Sequence, residues 1–189
     1  MDHLKSYLGD LQRAIAALDL EAVARLRAAC AQARDEGRQI FVCGNGGSAA
    51  TASHLANDLG KGASYGRLRR FRVLSLTDNV PWMTALANDV DYSAVFAEQL
   101  RNLAQPGDLL IAISGSGNSP NVLQAVAAAR ELGLVTAGLT GFGGGRLAGL
   151  VDFPVVVDSH HMGRVEDVHL MVVHLVCYYF MESPQQDAA

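Results

Sequence analysis

From Leu4 to about Glu36 apolar residues recur at intervals of three and four: Leu4, Leu8, Leu11, Ile15 and Leu18, then Val23, Leu26 and Ala29. No proline interrupts them. That spacing stacks apolar side chains on one helical face and predicts two amphipathic helices. Gly37 stands where the second should end, and glycine enters the left-handed C-cap conformation without a Cβ clash. Because these helices precede a different, alternating pattern, residues 1–36 read as a helical arm that packs on the domain or on a partner subunit. Residues 37–189 then read as a single structural unit.

After Gly37 the period changes. Short runs rich in apolar residues fall at Gln39–Cys43, Arg72–Leu76, Asp108–Ser114, Val135–Thr140 and Phe153–Val157. Their near-continuous apolar character suits parallel strands covered on both faces. Between and after them lie amphipathic stretches at about Ala49–Leu59, Pro81–Asn88, Ala94–Ala104, Pro120–Leu132 and Arg164–Glu182. Alternating β and α elements predict a three-layer, doubly wound α/β fold, whose ligands bind beyond the carboxyl ends of the strands. The turns rich in glycine, serine and asparagine fall at that end. The tail Ser183–Ala189 is polar and small, and is expected to fray.

Composition narrows the function classes. With 50% hydrophobic and 18% charged residues over 189 positions, the chain is a globular domain and not a disordered segment. A formal net charge of -4 offers nothing in bulk to nucleic acid. The local exception, Arg67-Leu-Arg-Arg-Phe-Arg72, is either a solvated loop entering a strand or a site for pairing with an anion or another subunit. Cys30, Cys43 and Cys177 are far apart and form no CxxC, so a reducing cytoplasm is expected and a disulfide framework is not. The N-terminus lacks the layout of a signal peptide, and no apolar run approaches membrane-spanning length.

Two turns carry candidate chemistry. Cys43-Gly44-Asn45-Gly46-Gly47-Ser48 follows a strand and opens a helix, where glycines let N–H groups approach an anion at the positive helix end. It is neither a GxGxxG fingerprint nor a P-loop. A tight turn with Ser48 as a cap is the plainer alternative. Ser114-Gly115-Ser116-Gly117-Asn118-Ser119-Pro120 gathers three hydroxyls at a second helix start, enough to clasp a phosphate monoester without lysine or metal.

Further along, His54 and Asp58 are spaced i, i+4 and share one face of the helix that starts at the first turn. Glu166, His169 and His174 sit on the last helix, with Glu166 and His174 roughly 12 Å apart in helix rise. Bringing those two to one metal requires long side chains reaching toward each other, or copies from two subunits. Each histidine alone is equally compatible with ordinary packing.

Gly44-Asn-Gly-Gly-Ser48, Asn88-Asp89, Ser114–Ser119, Leu139-Thr-Gly141 with Gly143-Gly144, and Arg164-Val-Glu-Asp-Val-His169 occur in the order seen in sugar isomerase (SIS) domains. From Leu4 to Glu182 the chain resembles that family, and within it the phosphoheptose isomerases. The resemblance implies a flavodoxin-like parallel sheet and a homotetramer with active sites at subunit interfaces. It implies aldose–ketose isomerisation of a sugar phosphate, sedoheptulose 7-phosphate to D-glycero-D-manno-heptose 7-phosphate. The alternatives are isomerisation of a different phosphosugar, or a non-catalytic protein binding a phosphosugar or a replication-initiator partner. Residue by residue, Ser48, Ser114, Ser116 and Ser119 match phosphate-binding serines, with Gly46 and Gly47 in the first turn. Asn45 and Asp89 match residues along the sugar chain. Gly115 stands where the family usually has threonine, Asp58 where it has glutamate, and Glu166 where it has glutamine. His54, Asp58, Glu166 and His174 correspond to a Zn²⁺-binding set found in some members. Asp58, His174 and Glu166 are the expected acid/base groups, and Glu166 also lines the substrate.

Overall fold

The computed structural model describes residues 1–183; from residue 184 onward the tail expected to fray lies outside the described residues. Two helices open the chain, α1 (Asp2–Ala16) and α2 (Leu20–Asp35). Asp19 separates them, its side chain accepting the Ala22 N–H at 3.0 Å as an N-cap. Gly37 ends α2 with φ +67°, and Arg38 N–H donates back to Ala33 O at 2.7 Å.

Five parallel strands follow: β1 (Gln39–Gly44), β2 (Arg72–Ser75), β3 (Leu109–Ser114), β4 (Val135–Thr140) and β5 (Phe153–Val156). They lie in the order β2-β1-β3-β4-β5, the flavodoxin-like winding. The connecting helices are α3 (Gly47–Asn57), α4 (Val80–Asp89), α5 (Ala97–Leu103) and α6 (Pro120–Glu131), and α7 (Met162–Glu182) closes the described chain. Strand order reverses between β1 and β3, and the two glycine- and serine-bearing turns flank that switch point.

Alternation of side chains along each strand divides the core into two. Ile40, Val42, Leu109, Ile111 and Ile113 face α2, α3 and α7, packing against Leu26, Leu55 and Val172. Phe41, Cys43, Leu110 and Ala112 face α5 and α6, against Phe96, Leu100, Val122 and Val126. All three cysteines are buried and free. Burial pushes the Cys30 and Cys43 thiols up to about 12.

Three expectations change. The arm is α1 alone: Ala14 is its one buried residue, and it lies on α7. By contrast, Leu26, Cys30 and Ala33 place α2 inside the main core. β2 is not covered on both faces, because it is an edge strand with Arg72 and Leu74 exposed. The helix expected through Leu59 stays α-helical only to Asn57, then widens into a π turn at Asp58–Gly62, closed by Ala63 N–H to Asp58 O at 2.8 Å. Gly60 and Gly62 lie in that turn, and such turns recur at functional sites.

Candidate active site

Strands β1 and β3 end side by side, Gly44 opposite Ile113, so their turns share one cleft of about 250 Å³. Asn45, Gly46, Gly47 and Ser48 line it from the first turn, and Ser114, Gly115, Ser116 and Ser119 from the second. The Ser114 and Ser119 hydroxyls lie 3.0 Å apart. Gly117 N–H donates to Ser114 O at 2.9 Å and Asn118 N–H to Ser116 Oγ at 3.2 Å, which shapes the second turn. Gly117 adopts φ +66°, a left-handed conformation where a side chain is strained. Gly46 is the N-cap of α3 at φ +54°, not Ser48. The cleft is thus lined by hydroxyls and a helix N-terminus, without lysine or arginine among its lining residues.

The first turn of α7 forms the remaining wall, with Met162 and Glu166. A Cβ on Gly47 would lie 2.7 Å from Glu166 Oε1, so the glycine gives the carboxylate room against the start of α3. The partial positive charge of that helix end favours a carboxylate there.

Farther along the same two helices a second cluster forms. His54 Nε2 lies 3.0 Å from His174 Nε2 and 3.1 Å from Asp58 Oδ2. Asp58 Oδ2 is buried without a hydrogen-bond donor. Two imidazole nitrogens and a carboxylate oxygen facing one another require a shared proton or a cation. Tetrahedral Zn²⁺ with bonds of about 2.0–2.1 Å would set its ligand atoms about 3.4 Å apart. The two separations from His54 are only slightly shorter and all three atoms lie within 4.8 Å of one another, so this donor set fits a divalent metal.

Glu166 does not join this group. It precedes His174 by two helical turns and, within this single chain, lines the cleft instead. Asp89, at the exposed end of α4, accepts Asn88 Nδ2–H at 2.7 Å and is not among the cleft-lining residues. His169 is buried and clear of the cluster; desolvation pulls it down to about 4, opposed by the Thr140 backbone.

Three site residues have no counterpart among the sequence-based expectations. Asn121 and Asn45 exchange amide hydrogen bonds at 2.8 and 2.7 Å, and Tyr92 O–H donates to Asn45 Oδ1 at 3.1 Å. Met162 is the third. The signal for Asn121 was its place beside Pro120 at a helix start; Tyr92 and Met162 carried none, since tertiary packing alone brings them in.

A parallel sheet wound in this order, with its cleft at the switch point, defines a flavodoxin-like α/β domain with a ligand site beyond the strand ends. Residues 5–141 match the SIS domain family. The chain is 42% identical over 153 residues to the phosphoheptose isomerase of Paramagnetospirillum magneticum, covering 81% of this chain and 79% of that one. It is 39% identical over 176 residues to that of Akkermansia muciniphila, covering 90% and 89%. The solved structure of a phosphoheptose isomerase from Francisella tularensis superposes with a TM-score of 0.89 at 30% identity, covering 96% of this chain and 98% of that one. The chain therefore belongs to the SIS domain family, in its phosphoheptose isomerase branch.

Proposed function

We propose that this protein is an aldose–ketose isomerase converting sedoheptulose 7-phosphate to D-glycero-D-manno-heptose 7-phosphate. The carrying observation is that one pair of helices, α3 and α7, links the serine-lined cleft to the His54–Asp58–His174 cluster. From Ser48 to His54 the rise is roughly 9 Å, and from Glu166 to His174 roughly 12 Å. An extended phosphosugar bridges such a distance, with its phosphate in the Ser114–Ser119 turn and its carbonyl end at the histidines.

In this reading Ser48, Ser114, Ser116 and Ser119 hold the phosphate and fix the carbonyl end by proximity. Asn45, held by Asn121 and Tyr92, faces the hydroxyl-bearing chain with Glu166. The Asp58 carboxylate removes the C1 proton of the ketose and returns it to C2. The His174 imidazole passes the hydroxyl proton between O1 and O2, so that the enediol forms and collapses without net gain or loss of protons. His54, Asp58 and His174 are also the residues that would hold Zn²⁺, which would supply a Lewis acid for the carbonyl oxygen; with their facing atoms so engaged, the base role would pass from Asp58 to Glu166. Glu166 then acts on the substrate, and its alternative role as a base is reached only from the cleft side.

Two finer points belong to the same proposal. The apolar stripe on α1 and α7, including Leu4, Leu8, Met171 and Leu175, is exposed and supports assembly into a homotetramer. Three free thiols support a cytoplasmic setting. Among the described residues no helix is long and apolar enough to cross a membrane.

Proton NMR of the protein with sedoheptulose 7-phosphate, with and without Zn²⁺, tests the reaction through new anomeric aldose signals. Asp58→Asn and His174→Ala are expected to cut kcat by about 10²–10⁴ and to lower bound zinc measured by atomic absorption. Wild-type turnover in both variants would sink the assignment.

A further inference from the structure

The start of α7 is keyed into three glycines, one after each of β1, β3 and β4. Glu166 fits over Gly47, Met162 over Gly115 and Val165 over Gly141. At each glycine a Cβ would come closer to the opposing side chain than van der Waals contact allows. The same turn is held from outside by α1: Tyr7 O–H donates to Asp167 Oδ2 at 2.6 Å, and Arg164 pairs with Asp10 at 2.5 Å. The backbone of this turn is therefore held against the cleft from two sides.

Of the side chains in that cleft, Met162 stands out chemically. The serines and Asn45 offer hydrogen bonds, Glu166 offers charge, and Ile113 is fully buried behind the turn. Met162 is 43% exposed, with its thioether against Gly115. A phosphate held by the serine hydroxyls needs nothing from a thioether. A phosphate monoester brings carbon as well, and carbon next to the ester oxygen gains from contact with a polarizable apolar group.

We propose that Met162 is a specificity-determining residue, which reads the carbon end of the phosphate ester from the wall of the cleft. Gly115 is part of the device, because the space its missing side chain leaves is the space the Met162 sulfur occupies. The cleft thereby selects a phosphate ester over inorganic phosphate. This rests on the reading of the cleft as the phosphate site.

The test compares wild type, Met162→Ala, Gly115→Ala and the double variant in two measurements: KM for sedoheptulose 7-phosphate, and Kd for inorganic phosphate by calorimetry. Met162→Ala is expected to raise KM roughly four- to fifteenfold, the value of one or two methylene-sized contacts. Its Kd for inorganic phosphate should stay within about twofold of wild type. Gly115→Ala pushes aside the flexible end of Met162 and should raise KM similarly. The double variant should then be no worse than the poorer single one, because both changes remove the same contact. An unchanged KM in Met162→Ala, equal weakening toward ester and inorganic phosphate, or full additivity in the double variant each overturns the proposal. Melting temperatures identify a variant that has lost its fold, and Met162→Leu then carries the test, with KM and Kd expected near wild type. Loss of ester affinity in that variant also overturns the proposal. If wild type binds neither sedoheptulose 7-phosphate nor phosphate, the functional reading itself fails. If wild type binds both and the variants are unaffected, only this proposal does.

Discussion

Replacing Gly117 by alanine attacks the serine-rich turn Ser114–Ser119, the proposed phosphate site, at its most constrained point. The residue holds φ +66°, where an alanine costs about 1–2 kcal/mol more than glycine. A Cβ there would also press on the Gly144 carbonyl oxygen, and would lie 2.7 Å from Thr140 Oγ1 and 2.8 Å from the Gly144 carbonyl carbon. These partners are backbone and a buried hydroxyl, so they cannot swing away as a methionine can. Overpacking of this kind adds about 1–3 kcal/mol. The two terms together predict a loss of roughly 2–5 kcal/mol, which for a domain of this size lowers the melting temperature by roughly 4–20 °C. Melts followed by circular dichroism, with and without added phosphate, measure both the stability and the turn's grip. Gly149→Ala is the control, because no atom lies within 4 Å of its Cβ position. A Gly117→Ala protein melting within about 1 °C of wild type, with its phosphate-induced shift intact, would refute the reasoning.

Acid should destabilise the fold through His169. Its folded-state pKa is pulled down to about 4 by burial, below the ordinary value of 6.5, so the unfolded chain binds the extra proton. The neutral side chain's contribution is complete above about pH 6.5 and is lost as pH falls toward 4, by about 3 kcal/mol in all. Urea midpoints at neutral pH and near pH 4.5 measure this, and His169→Phe should flatten the slope; an unchanged slope contradicts it. Asn121→Ala leaves the Asn45 amide without its reciprocal partner, and should cost about 1–3 kcal/mol in urea unfolding. It should also raise KM for the phosphosugar, whereas an Asn45 that works without Asn121 would leave KM unchanged.

The order of the strands and of most helices was legible because period and punctuation there agree with the fold. Residues 40–43 and 109–113 are apolar throughout and pair as central strands. Pro120 stands at the start of α6, and Gly37 leaves α2 in the left-handed conformation. The serine-rich turn Ser114–Ser119 was legible for the same reason: it lies within a few residues, where local composition is the structure. His54 and Asp58 were legible as a pair by helical spacing, and His174 joins them as the resemblance implied.

Tertiary structure decided the rest. Whether α2 was arm or core depended on which helix covered the sheet, and amphipathicity alone is the same for either. Glu166 and His174 lie on one helix, yet one lines the cleft and the other joins His54 and Asp58, because the neighbours of each turn determine what it faces. The pairing of Asn45 with Asn121, and of Gly115 with Met162, joins residues distant in the chain. No local pattern records such pairs, since the sequence specifies which side chains are present and the packing of β1, β3 and α7 specifies which of them meet.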